Sequence, residues 1–500
     1  MDTPVVTVTL ATTVFDAAVR YGGGQPVAAW IGDGLEALAG ELGLTAQPVV
    51  KLATDDAPAR GHPVRVDVGR QVCRTSREVV DAAVAYVTGV PASGHVADEQ
   101  WAALAADDLA EVLALVCRYA VAGRPATMLP QGDPLAEVLA AGRSLAGADL
   151  DAVRAEIRAD PADLPVTGPE REFELLVEPQ YMQVLTGHRD AAEVFSYMRE
   201  GLFTELGLVV PSMHIRPDGT LRARGVAFRV NGARTLPHRG LAPGTLFVND
   251  TAERLRLMAV DATAATNPAT GQPGAVVDAD HRDLLEAAGL TTWDPLGYFV
   301  LVLAATVRER AFSFLTSAST ASMLERLNQS FPAVSAAGRA HLPPGVLTAT
   351  LRALLRDGVG VRNLRRIIER ALRYEHAPEE AGRDRVAFVR AGLADQIGMK
   401  VTNGRDTVVA YLLDPLIEQA VLEDGSEHDR DMDERFADAV DAELRALPPT
   451  AAIPYVLTEE LCRARVADRL RPEFPRLRVI SYGNLPPHVN VQPVARISWR

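Results

Sequence analysis

The first residues to weigh are those whose spacing could do chemistry. Gly32-x-Gly34-x-x-Ala37, inside WIGDGLEALAG, has the spacing of a dinucleotide-binding turn. Such a turn needs a preceding strand and a helix that opens on the glycines, so that backbone N–H groups meet a pyrophosphate. Here the flanking residues have helical spacing instead, which puts the run inside a helix. DRDMDE, Asp429 to Glu434, spaces carboxylates as a calcium loop does. Glu434 stands where that loop needs Gly, however, and Val440 where it needs Glu. A solvated acidic stretch accounts for it. The 10 histidines form no HxxxH or HExxH pair, and His488 lies in a proline-rich segment with no ligand spacing. FSFLTSAST, Phe312 to Thr320, is rich in hydroxyls but has no basic partner to activate one, and it reads as a helix boundary. The 3 cysteines, Cys73, Cys117 and Cys462, are far apart with no CxxC pair, which suggests neither a zinc site nor a disulfide framework. These residues predict no catalytic residue, no metal and no cofactor.

Composition narrows the partners. A chain of 500 residues is too long for one ordinary domain. Its formal charge of −14 opposes nucleic acid, which needs a basic face, and opposes docking on anionic lipid. Lys51 and Lys400 are the only lysines; the other basic residues are arginine, a bias of GC-rich bacterial genomes. MDTPVVTVTL carries an acid where a signal peptide needs bases. The strongly apolar YFVLVLAATV ends at Arg308 and is about half of the ~20 residues a membrane helix needs. The expectation is a cytoplasmic protein without direct membrane insertion, reaching a membrane complex only through partners.

The elements that would position any site show a repeat. Ala28 to Leu44, AAWIGDGLEALAGELGL, resembles Ala191 to Leu208, AAEVFSYMREGLFTELGL. The spacing that aligns Glu41 with Glu205 also aligns the ARG runs at Ala59 and Ala223, and Arg65-Val66 with Arg229-Val230. A second match, ending at Leu129 and Leu324, has a wider spacing, so the first copy lacks a segment that the second contains. The fold class expected is α/β plus α. Residues 1–140 form a degenerate N-terminal copy of the first α/β subdomain, and 141–172 a helical and proline-containing linker. Residues 173–320 form an α/β subdomain with a small insertion, 321–378 a helical subdomain and 379–500 a C-terminal α/β subdomain.

The helical part contains LLRDGVGVRNLRRIIERAL, Leu354 to Leu372. Leu351, Leu354 and Leu355 share a helix face, and Asp357-Gly358 ends the helix with a left-handed glycine. Val361, Leu364, Ile367, Ile368 and Leu372 return at three-to-four spacing while Arg362, Arg365, Arg366, Glu369 and Arg370 stay outside. This is a helical hairpin, with Gly360 expected as the entry to its second helix.

That hairpin resembles a motif of the FHIPEP family, the export-gate proteins of flagellar and type III secretion systems. So do LERLNQSFPAVSAAGRAHLPPGVLTATLRALL before it, ELGLVVPSMHIRPDG, GLTTWDPLGYF, YLLDPLIEQ and RLRVISYGNLPPHVNVQPVARI, all in family order from about residue 174 to 497. The resemblance implies a non-catalytic scaffold that binds proteins, among them secretion substrates or chaperones, and that assembles as a homo-oligomer or ring. The family's membrane half is missing from this sequence. At the chaperone-docking cleft the resemblance places Asn267, Thr270, Trp293 and Leu301, with the family's Asp replaced by Asn267 and its anchoring Phe by Thr270. Loss of a buried aromatic anchor puts chaperone recognition in doubt. Two other readings stay open: an adaptor of the same fold in a bacterial regulatory or defence pathway, and a nucleotide-binding enzyme built on Gly32 and Gly34.

Overall fold

The structure, a computed structural model, describes residues 5–20, 22–41, 48–55, 64–68, 71–73, 76–90, 98–122, 173–187, 191–230, 232–376, 384–423, 430–448 and 451–499. The expected linker 141–172 and most of the first ELGL run lie outside the described residues. The chain divides into two compact units, Met1–Phe195 with Pro211–Leu303 and Ser196–Val210 with Ala304–Arg500. It is a mixed α/β protein with several sheets and helical regions.

The first unit opens with β1 (Val5–Ala11), α1 (Thr12–Arg20), α2 (Gln25–Glu41), β2 (Val49–Asp55), β3 (Val64–Val68), β4 (Gln71–Cys73), α3 (Arg77–Thr88), α4 (Asp98–Ala103) and α5 (Ala106–Ala122). Then come β5 (Phe173–Val177), α6 (Pro179–Thr186), α7 (Ala191–Leu206), β6 (His214–Pro217), β7 (Gly225–Val230), β8 (Ala233–Arg234) and β9 (His238–Arg239). The first sheet has the order β2-β1-β3-β4 and the second β6-β5-β7-β8, with β9 also on β7. In each, the central strand is parallel to one neighbour and antiparallel to the other. Val8 lies opposite Val66 in one sheet and Phe173 opposite Val230 in the other.

A small third sheet follows, built from β10 (Thr245–Val248), α8 (Ala252–Leu257), β11 (Ala262–Thr266), β12 (Pro273–Asp278), α9 (Arg282–Ala287) and β13 (Thr292–Trp293), before α10 (Pro295–Arg310). Its order is β11-β12-β10-β13, all antiparallel. It has its own core of Leu246, Val248, Leu255, Val260 and Leu285.

The two central strands differ in burial for a reason. β1 alternates: Val6, Val8 and Leu10 are buried, and Thr7 and Thr9 are not. That is the signature of a strand with one covered face. β5, FELLV, is buried at every position. Phe173 and Phe228 turn toward Phe299 of α10. On the opposite face Leu176 and Ala227 join the core of α2, α3 and α5. Glu174 shares that second face and is 5% exposed. Burial pushes its carboxyl up, but hydrogen bonds and charge from Arg216 (2.9 Å) and Arg229 (2.8 Å) outweigh this and hold it below the usual carboxylate range.

Folding therefore favours the ionised form of Glu174. Its contribution is present above the unfolded value of about 4.3 and is lost as pH falls through the lower folded value. Glu174→Gln is expected to lower stability at pH 7 and to make acid unfolding below about pH 4 less steep; urea titrations at several pH values check it.

The second unit contains α11 (Ser317–Ser330), α12 (Pro332–His341), α13 (Pro344–Arg356), α14 (Leu364–His376), α15 (Arg385–Ala391) and α16 (Ala394–Val401), then β14 (Thr407–Leu413), α17 (Pro415–Glu423), α18 (Arg430–Arg445), β15 (Tyr455–Thr458), α19 (Glu460–Leu470), β16 (Val479–Ser481) and β17 (Asn490–Ile497). Its sheet, β16-β15-β14-β17, is parallel throughout, with the core of Tyr411, Ile417, Phe436, Val456 and Val466 under its helices. Thr316 and Ser319 form a capping box at the start of α11, so FSFLTSAST is the helix boundary expected. Gly358 has φ +74 and ends α13 as foreseen. The entry to α14 differs from expectation. Asn363 precedes Leu364 and its side chain accepts a hydrogen bond from Arg366 N at 3.4 Å, while Gly360 serves a crossing instead. A Cβ on Gly360 would lie 2.2 Å from Glu205 O, and Val361 N donates to Leu206 O at 2.8 Å. The second ELGL run and DGVGV thus meet backbone to backbone.

Candidate functional site

The small third sheet carries three of the four positions expected at a cleft, with Leu301 on α10 beside it. Asn267 closes the turn between β11 and β12. It is 4% exposed, its Oδ1 accepts from Ala269 N at 2.8 Å and Thr270 N at 3.3 Å, and its Nδ2 donates to Asn249 Oδ1 at 3.1 Å. A buried amide with these partners holds the hairpin in shape. Thr270 is exposed at the hairpin tip, its Oγ1 accepting from Gln272 N at 3.3 Å.

Trp293 and Leu301 are brought together. Leu241, Phe247 and Ala265 are buried, and Val276, Trp293, Tyr298 and Leu301 pack against them partly exposed. The Phe247 ring is 5.8 Å from Trp293 and 5.4 Å from Tyr298, both tilted. Asn267 lies two residues beyond Ala265 of β11, and Thr270 lies further out at the hairpin tip. Phe247 and Tyr298 carry its aromatic character, and sequence reading missed both. The signal was present in GTLFVND, a short strand with one large aromatic. Burial pushes the Tyr298 phenol up to about 12, so it stays neutral at physiological pH. Nearby, Tyr181 is 2% exposed, and burial again raises its phenol. A rigid aromatic surface with a neutral phenol can receive apolar side chains.

The runs that first suggested chemistry take structural places. Gly32 and Gly34 lie in the middle of α2, and a Cβ on Gly34 would touch Ala114 of α5 at 3.6 Å. The glycines permit close helix packing and present no phosphate turn, which overturns the nucleotide-binding reading. Most of DRDMDE is the first turn of α18, while Asp429 lies outside the described residues. His488 is exposed. Cys73, Cys117 and Cys462 are buried, and burial raises the thiols of Cys117 and Cys462. Among the described residues, no group of three or more His, Cys, Asp or Glu is placed to hold a metal.

Asp357, by contrast, is far more than a helix end. Its carboxylate meets Arg463 at 2.8 Å, Arg471 at 3.1 Å and Arg390 at 3.3 Å. Arg390 and Arg463 are 1% and 4% exposed. Arg390 also donates to Asn484 Oδ1 at 2.8 Å. Burial first, and then the like charge of Arg463, push the Arg390 guanidinium down to about 10, against the pull of Asp357 and Glu460. Arg390 stays charged at neutral pH, and it lies buried with Arg463 around one shared carboxylate.

Comparison with known proteins follows this architecture. The model of the FHIPEP family matches residues 153–490. Low calcium response locus protein D of Yersinia pestis is 21% identical over 367 residues, covering 70% of this chain and 51% of that protein. The chain spans about half the length of the curated relatives it matches. The complex of CdsV and CdsO from Chlamydia pneumoniae is similar at TM-score 0.59 and 24% identity, over 68% of this chain and 100% of that one. The nonameric EscV cytosolic domain from the type III secretion system is similar at TM-score 0.53 and 16% identity, over 66% of this chain and 98% of that one. These likenesses establish the fold. Among the described residues no helix is long and apolar enough to cross a membrane. With a family model matched over well more than half of its length, this chain belongs to the FHIPEP family.

Proposed function

We propose that this chain is a non-catalytic protein-binding scaffold that does the work of an export gate's cytosolic docking domain, with Trp293, Tyr298 and Leu301, backed by the buried Phe247, as its partner surface. The aromatic cluster carries the reading: Trp293 and Leu301, two of the positions where the family resemblance puts a docking cleft, pack with Phe247 and Tyr298, and Asn267 shapes the adjoining hairpin. Since Thr270 presents a small polar side chain at the hairpin tip, the anchoring role passes to Trp293. A partner would insert an apolar side chain there and meet polar groups at the rim.

Trp293→Ala is the test. Chaperones and chaperone–substrate pairs from the native host's own secretion genes are titrated against the purified chain by isothermal calorimetry. A loss of about 2 kcal/mol or more, some thirtyfold in affinity, is the expected result for an aromatic hot spot. Unchanged affinity in the variant, or no binding by the parent chain, would sink the assignment. Ring assembly is proposed on the nonameric EscV domain's likeness in fold; light scattering on the full chain should then give species larger than a dimer. The adaptor reading is favoured by the N-terminal unit, which precedes the region the family model matches. Deletion of the gene separates the two, because an export gate's loss abolishes secretion and an adaptor's does not.

The N-terminal unit is proposed as a duplicate of the β5–β9 unit. Two observations support this beyond the sequence repeat. The sheets share strand order and direction. And Glu41 of α2 pairs with Arg118 of α5 as Glu205 of α7 pairs with Arg308 of α10 (2.8 Å). These ion pairs put Arg118 and Arg308 in one role, whereas the second sequence match sets Arg118 against Ser313.

A further inference from the structure

The second face of the β5 sheet is shut by this chain's own N-terminal unit. The two sheets have equivalent outer faces with different chemistry. On the first sheet that face carries Thr7, Thr9, Lys51, Arg65 and Asp67, side by side across β1, β2 and β3. It is polar, with Lys51 exposed and the other four residues half-buried. On the second sheet the same face carries Leu176 against Ala227, with Glu174 neutralised by two arginines. Left in water it would be an apolar patch beside a strand edge, which favours self-association. Instead Leu176 and Ala227 complete the core of α2, α3 and α5.

Apolar contact alone does not fix how one layer sits on another; a polar lock does. Arg222, in the loop between β6 and β7, reaches into the N-terminal unit. Its Nε and Nη2 donate to Glu111 at 2.9 and 2.6 Å, Nη2 also donates to Asp108 at 2.7 Å, and Nη1 donates to Val87 O at 2.9 Å. Its backbone N donates to Tyr86 Oη at 2.8 Å. A planar guanidinium with every nitrogen engaged sets both position and angle. The approach is close enough that a Cβ on Gly89 would overlap the Arg239 guanidinium at 1.7 Å.

We infer that the N-terminal unit is an intramolecular cover, locked by Arg222, that keeps the second face of the β5 sheet from pairing with a second copy of this chain. The assignment is independent of the docking cleft.

Full-length Arg222→Glu tests it, beside Arg222→Glu with Glu111→Arg and the milder Tyr86→Phe. Three readouts are taken: anilinonaphthalene sulfonate fluorescence, light scattering against concentration, and hydrogen exchange of the β1 amides. Arg222→Glu should bind several-fold more dye and associate with concentration beyond the parent chain, while β1 stays protected. The charge-swapped pair should return both toward the parent, and Tyr86→Phe should move them a smaller way in the same direction. The inference fails if Arg222→Glu matches the parent chain. It also fails if the dye signal comes with lost protection in β1, which means the unit has unfolded, or if the swap restores nothing.

Discussion

Asp357→Asn is expected to destabilise the second unit by about 3–5 kcal/mol, the cost of removing one partner from a buried ion network. The carboxylate lies within 2.8 to 3.3 Å of three guanidiniums, two of them almost wholly buried. The amide keeps the shape but supplies no charge, and its NH2 group turns a donor toward other donors. Arg390 then retains only the weaker pull of Glu460 and Asp384, and Glu460 Oε2 is already engaged with Ser481 and Asn484. Hydrogen exchange of α13, α15 and α19 reports the loss, while β10–β12 in the first unit serve as the internal control. A double variant adding Arg463→Leu should recover part of the stability, because removing both partners of a buried pair costs less than removing one. Additive losses would mean that Asp357 acts only as a helix end.

Gly207→Ala is the second large effect. Gly207 follows α7 with φ +73, and a Cβ there would lie 2.1 Å from Arg362 N and 2.4 Å from its Cα. Two costs combine: a left-handed conformation, about 1–2 kcal/mol for an L-residue, and a clash with backbone that has no side-chain freedom to yield. Gly289 separates them. It has nearly the same φ, +74, with nothing within 4 Å of a built Cβ. Gly289→Ala should cost only the conformational part, about 1 kcal/mol. Gly207→Ala should cost at least twice that and loosen the seam where Val361 N meets Leu206 O. Equal losses in thermal unfolding of the two variants would show that the seam gives way freely.

Local features of this chain were legible because they depend on residues a few positions apart. The hairpin around Gly358, the capping box at Thr316 and the alternation of β1 each follow from helix or strand periodicity and one turn residue. The entry to α14 was misjudged because Asn363 and Gly360 are both plausible locally. The choice between them depends on Glu205, far away in sequence, whose backbone oxygen leaves room for no side chain at Gly360. Trp293 and Leu301 were named through resemblance, and both pack against the core that contains Phe247. Phe247 and Tyr298 escaped notice because an aromatic residue in a strand or helix reads as ordinary core until its neighbours are placed.

Charge was the least legible property. A run such as LLRDG shows an aspartate at a helix end, and nothing in it predicts guanidiniums from α15, α19 and the residue after α19. Arg222 reads as one of many surface arginines, and its partners Asp108 and Glu111 as a solvated acidic helix start. By itself the sequence determined the element types and the FHIPEP family, since these rest on short-range periodicity and ordered motifs. Tertiary structure alone decided which face of β5 is covered, which carboxylate holds the buried arginines and which rings pack together. Burial on two faces and compensation of a buried charge depend on distance in space, and the segments that supply them lie far apart along the chain.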